Sequence, residues 1–254
     1  MLIMKDRLGQ QNISNEGLEM VINDYNGASD INIYFPKYNV IQKGYTYRKF
    51  LEGGIKCKVY PSLFSKAYIG IGEHKSSVDN KKTKCYKHWM HMLERCYSDA
   101  YKAKFPAYEN CTVCDSWLNY QNFAKWYDDN YYEVQGEKMC LDKDILSNGE
   151  KIYSPETCIF VPNKLNNIYT KSNASRGTLP IGVTYHKQKH KYIARLSKFN
   201  KNVELGGYDT PEKAFNAYKQ AKEKHVLEVA NLYKSKIPDK LYNAMMDFKV
   251  NIND

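Results

Sequence analysis

Asp142 and Asp144, in the stretch LDKDILSNGE, stand two positions apart around Lys143. On a strand, alternate side chains share a face, so the two carboxylates would lie about 6–7 Å apart while Lys143 points the other way. This is either a site for a divalent cation or a charged hairpin closed by a tight turn at Asn148–Gly149. A second set of reactive residues is Cys96, Cys111, Cys114 and Cys158. Cys111-Thr-Val-Cys114 has the two-residue gap of zinc knuckles, with His88, His91, Cys85 and Cys140 as substitute ligands for a structural zinc. The same thiols would serve equally well as small buried hydrophobes. The third feature is charge: Lys171 to Lys240 holds 15 Lys/Arg against 6 Asp/Glu, a surplus of 9 out of the chain's net +10. So local an excess fits a polyanionic partner, nucleic acid or an anionic membrane surface, or else a solvated lysine-rich surface.

The elements that must position these residues follow from hydrophobic period. To residue 75 the chain reads as a small β-rich module, with strands at EMVINDY, DINIYF and YNVIQKGYTY; Ile31, Ile33 and Phe35 share one face. The polar run 76–84 reads as a linker. From 85 to 170 two amphipathic helices come first, YKHWMHMLERCY and DSWLNYQNFAKWYDDNYY, the second capped by Asp115 or Ser116. Trp117, Tyr120, Phe123 and Tyr127 form its core stripe. Then come a strand CLDKDIL, the turn, a strand CIFVP and a helix NKLNNIY. From 177 to 235 three strands, IGVTYH, KYIARLSK and VELGGY, precede a helix opened by Thr210 as cap and Pro211 at its first position. Its small-residue face suits close packing on a sheet. Residues 236–254 add one more short helix and a tail. The fold class expected is α+β.

At 254 residues and 43% hydrophobic content the chain is long and apolar enough for packed cores. Lys5, Asp6 and Arg7 fall too early for a signal peptide, and no apolar run approaches the roughly 18 residues of a membrane span. These features predict a soluble cytoplasmic protein with no membrane partner, whose seven cysteines are reduced or metal-bound.

On the middle strand of the third segment, Tyr192, Ala194 and Leu196 read as the covered set, leaving Lys191, Ile193, Arg195 and Ser197 on the opposite face. Such a face fits a DNA major groove, with lysines on phosphates and Arg195 on guanine edges. GV at 182–183, KYIARL at 191–196 and LGGYDTPEKAFNAYKQAK at 205–222 resemble the Apetala-two (ethylene-response-factor) DNA-binding domain, over about 55 residues. The resemblance implies binding to double-stranded DNA through the sheet, with Thr184, Tyr185, His186, Lys187, Lys189, Lys191, Arg195, Ser197, Lys198 and Asn202 as contacts. Thr184, His186, Asn202 and Glu204 depart from the plant pattern, so the plant target sequence is not implied.

HWMHMLERCY, CTVCDSWLNYQNFAKWY, LDKDILSNGEKIYSPETCIFVP and KLNNI together resemble phage and bacterial proteins related to HNH homing endonucleases, which often carry the domain just described at one end. That family implies a ββα-metal module, phage coding and action in a bacterial host cell. In it a histidine acts as general base while a metal stabilises the leaving oxygen of a phosphodiester. Here Asp142 takes the acidic position and Lys143 falls where the histidine should be. A lysine is a base only if burial or a nearby cation lowers its pKa. Asp142 and Asp144 could instead hold Mg²⁺ or Mn²⁺ directly, helped by Asn163, Asn166 or Asn167. Three functions follow: a metal-dependent DNA endonuclease, a catalytically inactive DNA-binding or regulatory protein on the same scaffold, or a protein that blocks a host factor.

Overall fold

The computed structural model describes residues 7–147, 149–169, 178–198 and 201–253; Asn148 of the expected turn and the junction 170–177 lie outside them. The fold is α+β, with helices and several small sheets. It divides into two compact units, Met1–Asp129 with Lys151–Ser154, and Asn130–Glu150 with Pro155–Asp254. The division runs through the expected 85–170 module, and neither expected boundary, near 75–85 or near 170–177, separates the units.

In the first unit β1 (Gln11–Ile13), β2 (Glu19–Tyr25), β3 (Ile31–Phe35) and β4 (Val40–Tyr45) form an antiparallel sheet in chain order. Period-two alternation buries Met20 and Ile22 with Ile31, Ile33 and Phe35, and Phe50 of α1 (Tyr47–Leu51) closes this core. The expected third strand ends early because the Thr46 hydroxyl accepts from the Lys49 N–H and starts that helix. The expected linker is also structured: β5 (Ser77–Val78) and β6 (Lys81–Lys82) pair across Asp79 and Asn80, both left-handed, as a two-residue hairpin requires. Thr83 then caps α2 (Lys84–Tyr97), which buries Trp89, Met92, Leu93 and Cys96. After α3 (Asp99–Lys104) and β7 (Thr112–Val113), the expected long helix from Asp115 is interrupted. Asp115–Leu118 is a 3-10 turn, and the Asn119 carboxamide accepts from the Gln121 N–H at 3.0 Å before α4 (Tyr120–Asn130) begins. Trp117, Tyr120, Phe123 and Tyr127 are buried, and Trp89 donates its indole N–H to the Trp117 carbonyl at 2.7 Å.

The chain then enters the second unit as β8 (Met139–Asp142). It returns to the first as β9 (Ile152–Tyr153), parallel to β7, and re-enters as β10 (Ile159–Pro162), antiparallel to β8. The two strands expected as a tight hairpin therefore pair, but the segment from Lys143 to Cys158 lies between them. Next come α5 (Asn163–Ile168) and an antiparallel sheet of β11 (Val183–His186), β12 (Lys191–Lys198) and β13 (Lys201–Tyr208). α6 (Pro211–Tyr233) starts as expected, with the Thr210 hydroxyl accepting from the Lys213 N–H and Pro211 in the first turn. At 23 residues it is about 35 Å long and serves two cores. Its first turns pack Ala214, Phe215 and Tyr218 on Val183, Ala194 and Leu196 of the sheet. Its last turns join Val226, Val229 and Ala230 to Ile159, Val161 and Leu165, with Ile237 and then Leu241 and Met245 of α7 (Asp239–Met246) completing the cluster. Between them Lys222 donates to the Ile168 carbonyl at 2.6 Å. Among the described residues no helix is long and apolar enough to cross a membrane.

Two predictions follow. Gly182 has φ +77°, and a Cβ there would lie 2.1 Å from the Tyr218 ring. Gly182→Ala should cost about 2–3 kcal/mol, read as a lower urea midpoint. Burial lowers the Lys222 pKa to about 8. Its charged form is thus disfavoured in the fold relative to the unfolded chain, so stability should rise from pH 8 to about 10.5, by about 3 kcal/mol at most. Lys222→Met should flatten that rise in denaturation curves recorded across the range.

Candidate functional site

β8 alternates as a half-buried strand should: Met139 and Leu141 are inside, while Cys140 and Asp142 are partly exposed. The strand stops at Asp142 because Oδ1 of that residue accepts from the N–H groups of both Asp144 and Ile145 at 2.8 Å. A side chain that takes two backbone donors ahead of it turns the chain. Asp142 and Asp144 consequently do not share a strand face, contrary to the sequence reading. Lys143 continues the inward alternation, with its side chain 5% exposed and Nζ 2.5 Å from Asp144 Oδ1; the Asp144 side chain is 65% exposed. The Glu150 carbonyl accepts from the same ammonium at 3.5 Å. This geometry makes Lys143 an anchor for Asp144. Burial pushes the Asp142 carboxyl above its usual range, opposed by its two backbone donors.

The strand register separates Asn163 from this turn. Asn163 follows Pro162, which pairs with Met139, whereas Asp142 pairs with Ile159. Three residues of strand put Pro162 about 10 Å further along, with Asn163 beyond it. Asn163 and Asn167 are exposed and Asn166 is half-buried. Tyr169, directly after α5, is a neighbour the sequence did not single out. Its hydroxyl is buried with no hydrogen-bond partner among the described residues. Burial first, then the charge of Asp142, raises its pKa. Nothing in the string NKLNNIY marks it; only the fold sets it near that carboxylate.

The cysteines do not converge. Among the described residues no three His, Cys, Asp or Glu side chains are grouped as metal ligands would be. Cys96 is buried on α2, Cys111 and Cys114 flank β7 in the first unit, and Cys158 belongs to the second. Cys111 Sγ lies 3.9 Å from the Ala107 carbonyl, Cys114 Sγ 3.3 Å from the Ser116 hydroxyl and Cys158 Sγ 3.8 Å from the Thr157 hydroxyl. Of the alternative ligands, Cys85 has its thiol pushed up to about 12 by burial, His88 packs on the Tyr127 ring, Cys140 Sγ lies 3.4 Å from the Val161 carbonyl, and His91 is exposed.

The sheet β11–β13 has one face on α6 and one uncovered. Thr184, Arg195, Ser197 and Asn202 are exposed on the strands, and Tyr185 is 45% exposed. Ile193 departs from expectation: it points outward yet is 2% exposed, lying over Gly207, whose missing side chain makes room for it. At one edge Lys187–Lys189 form a 3-10 turn in which His186 Nδ1 accepts from the Lys189 N–H at 3.4 Å. Lys187 and Lys189 are exposed with no ion pair among the described residues, so their charge is available. Lys191 is paired with Asp209, and Lys198 with Glu228 at 2.6 Å. Arg195 Nη2 lies 3.2 Å from Glu204 Oε2. The sequence reading did not place Glu204 at the site, because cross-strand partners are set by register.

Comparison of the chain with protein-family models, with curated proteins and with solved structures finds no match. The Lys143–Asp144 pair makes an asymmetric prediction. Asp144→Ala takes the carboxylate from a buried ammonium and should destabilise by about 2 kcal/mol, whereas Lys143→Met leaves an exposed carboxylate to water and should cost under about 1 kcal/mol. Paired denaturant titrations of the two variants decide it.

Proposed function

We propose that this chain binds double-stranded DNA through the outer face of β11–β13. The observation that carries this reading is the uncovered sheet face, with Arg195, Ser197, Thr184 and Asn202 exposed and Lys187 and Lys189 at its edge. A sheet of this width fits a major groove, lysines neutralise phosphates, and polar strand residues reach base edges. The resemblance of residues 182–222 to the Apetala-two domain supports the same docking.

The action that fits best beside it is hydrolysis of DNA phosphodiesters by a phage-type, HNH-like endonuclease. Asp142 is held by two backbone donors through Oδ1 only, and Asp144 is exposed and anchored by Lys143. Two carboxylates with no third His, Cys, Asp or Glu grouped beside them among the described residues suit Mg²⁺ or Mn²⁺, which complete their shell with water and substrate phosphate oxygens; they do not suit zinc. Such an ion would supply an activated water and stabilise the leaving oxygen. A second reading, DNA binding without cleavage, is favoured by one observation: the residue in place of the family's histidine base is a buried, ion-paired lysine.

Supercoiled plasmid incubated with the protein should be nicked in Mg²⁺ or Mn²⁺, not in EDTA, and not by the Asp142→Ala/Asp144→Ala variant. An intact plasmid that is still shifted on a gel selects the second reading. In either case affinity should fall steeply with salt, and Lys187→Ala/Lys189→Ala should weaken binding to all sequences alike and lower the salt slope by about 2. Absence of any shift at low salt points instead to a protein that acts on a host factor.

A further inference from the structure

We propose that Arg195 and Glu204 together read one G·C base pair in the major groove, with Glu204 as the specificity-determining residue. This rests on the DNA-binding reading above and names the base pair that the sheet selects.

A bulge creates the pair. β12 and β13 run in one register from Tyr192↔Tyr208 to Ala194↔Gly206, then shift so that Arg195 faces Glu204. Continued without the shift, the first register would set Leu196 opposite Glu204 and turn the carboxylate towards α6. The extra residue, Leu205, rotates Glu204 to the outer face, the re-aiming that bulges perform beside functional sites. The resulting ion pair is 47% exposed on both sides. At that exposure it adds little to stability, so the stability of the pair does not explain the bulge.

The charge pattern excludes the simplest alternative, that this spot binds phosphate. A carboxylate there repels the DNA backbone, while the available cations Lys187 and Lys189 stand at the rim. A base edge is different. Guanine offers O6 and N7 as acceptors and its cytosine partner offers the N4 amino group as a donor, side by side on the major-groove edge. A guanidinium has five N–H donors; one directed at Glu204 leaves others for guanine, and the carboxylate has lone pairs left for cytosine N4. The cross-strand contact also limits the rotamers of Arg195 before DNA arrives, so less freedom is lost on binding. The neighbours leave room for approach: Ser197 and Thr184 are small.

The test is selection of preferred sites from a random duplex pool by the full chain and by Glu204→Ala, Glu204→Gln and Arg195→Ala, with thermal unfolding as the folding control. The wild type should select one nearly invariant G·C pair. Glu204→Ala should lose about tenfold or more of discrimination at that pair alone, keep its other preferences and bind random DNA more tightly. Glu204→Gln, which keeps an acceptor oxygen, should retain part of the discrimination, and Arg195→Ala should lose it at the same position. The inference is overturned if Glu204→Ala matches the wild type within twofold at every position, or if the wild type binds DNA with no base preference. No DNA binding by the wild type at low salt would sink the DNA-binding reading itself.

Discussion

The second unit depends on one long helix packed into two cores. The first turns of α6 cover the inner face of β11–β13, and its last turns complete the apolar cluster of β10, α5 and α7. The pair β8–β10 is too small to bury its own apolar face, as short two-stranded elements generally are. Ile159, Val161 and Leu165 are buried in company with Val226, Val229 and Ala230 of α6. A stiff helix about 35 Å long therefore supports both the sheet that would bind DNA and the turn that carries Asp142. Lys222, at mid-helix, adds a polar tie to the end of α5 at the cost of burying an amine.

Charge on the sheet is sorted by the same architecture. Lys191 and Lys198 hold carboxylates, Asp209 and Glu228, the latter on α6, so part of the basic surplus stabilises the module's own geometry. Among the described residues of the sheet, the lysines exposed without an ion pair are Lys187 and Lys189 at the β11–β12 edge and Lys201 at the start of β13. A formal count of lysines overstates what a partner feels, because an ammonium at contact with a carboxylate contributes little at a distance beyond a Debye length. The outer face thus presents a basic edge and a neutral, hydrogen-bonding centre.

At the β8 turn two demands compete for Asp142. Its Oδ1 terminates the strand by accepting two backbone N–H groups, while burial penalises its charge. A divalent cation would relieve that penalty, since opposite charge favours the ionised carboxylate. Asp144 by contrast is largely exposed and paired with Lys143.

Local patterns settled much of this from sequence. The alternation of Ile31, Ile33 and Phe35, the aromatic stripe of α4 and the Thr210–Pro211 start of α6 depend on residues a few positions apart, and their physics is the same in any surroundings. The exposure of Arg195 and Ser197 likewise followed from strand period. Other features needed distant residues. The sequence could not show that Asp142 would spend an oxygen on turning the chain, that Asn163 would sit at the opposite end of the strand pair, or that the cysteines would find separate local partners. Nor could it show the bulge that brings Glu204 beside Arg195, or that α6 would share its length between two cores. Those depend on register and on which apolar faces meet, and both are decided by burial across long stretches of chain, which no local string of residues encodes.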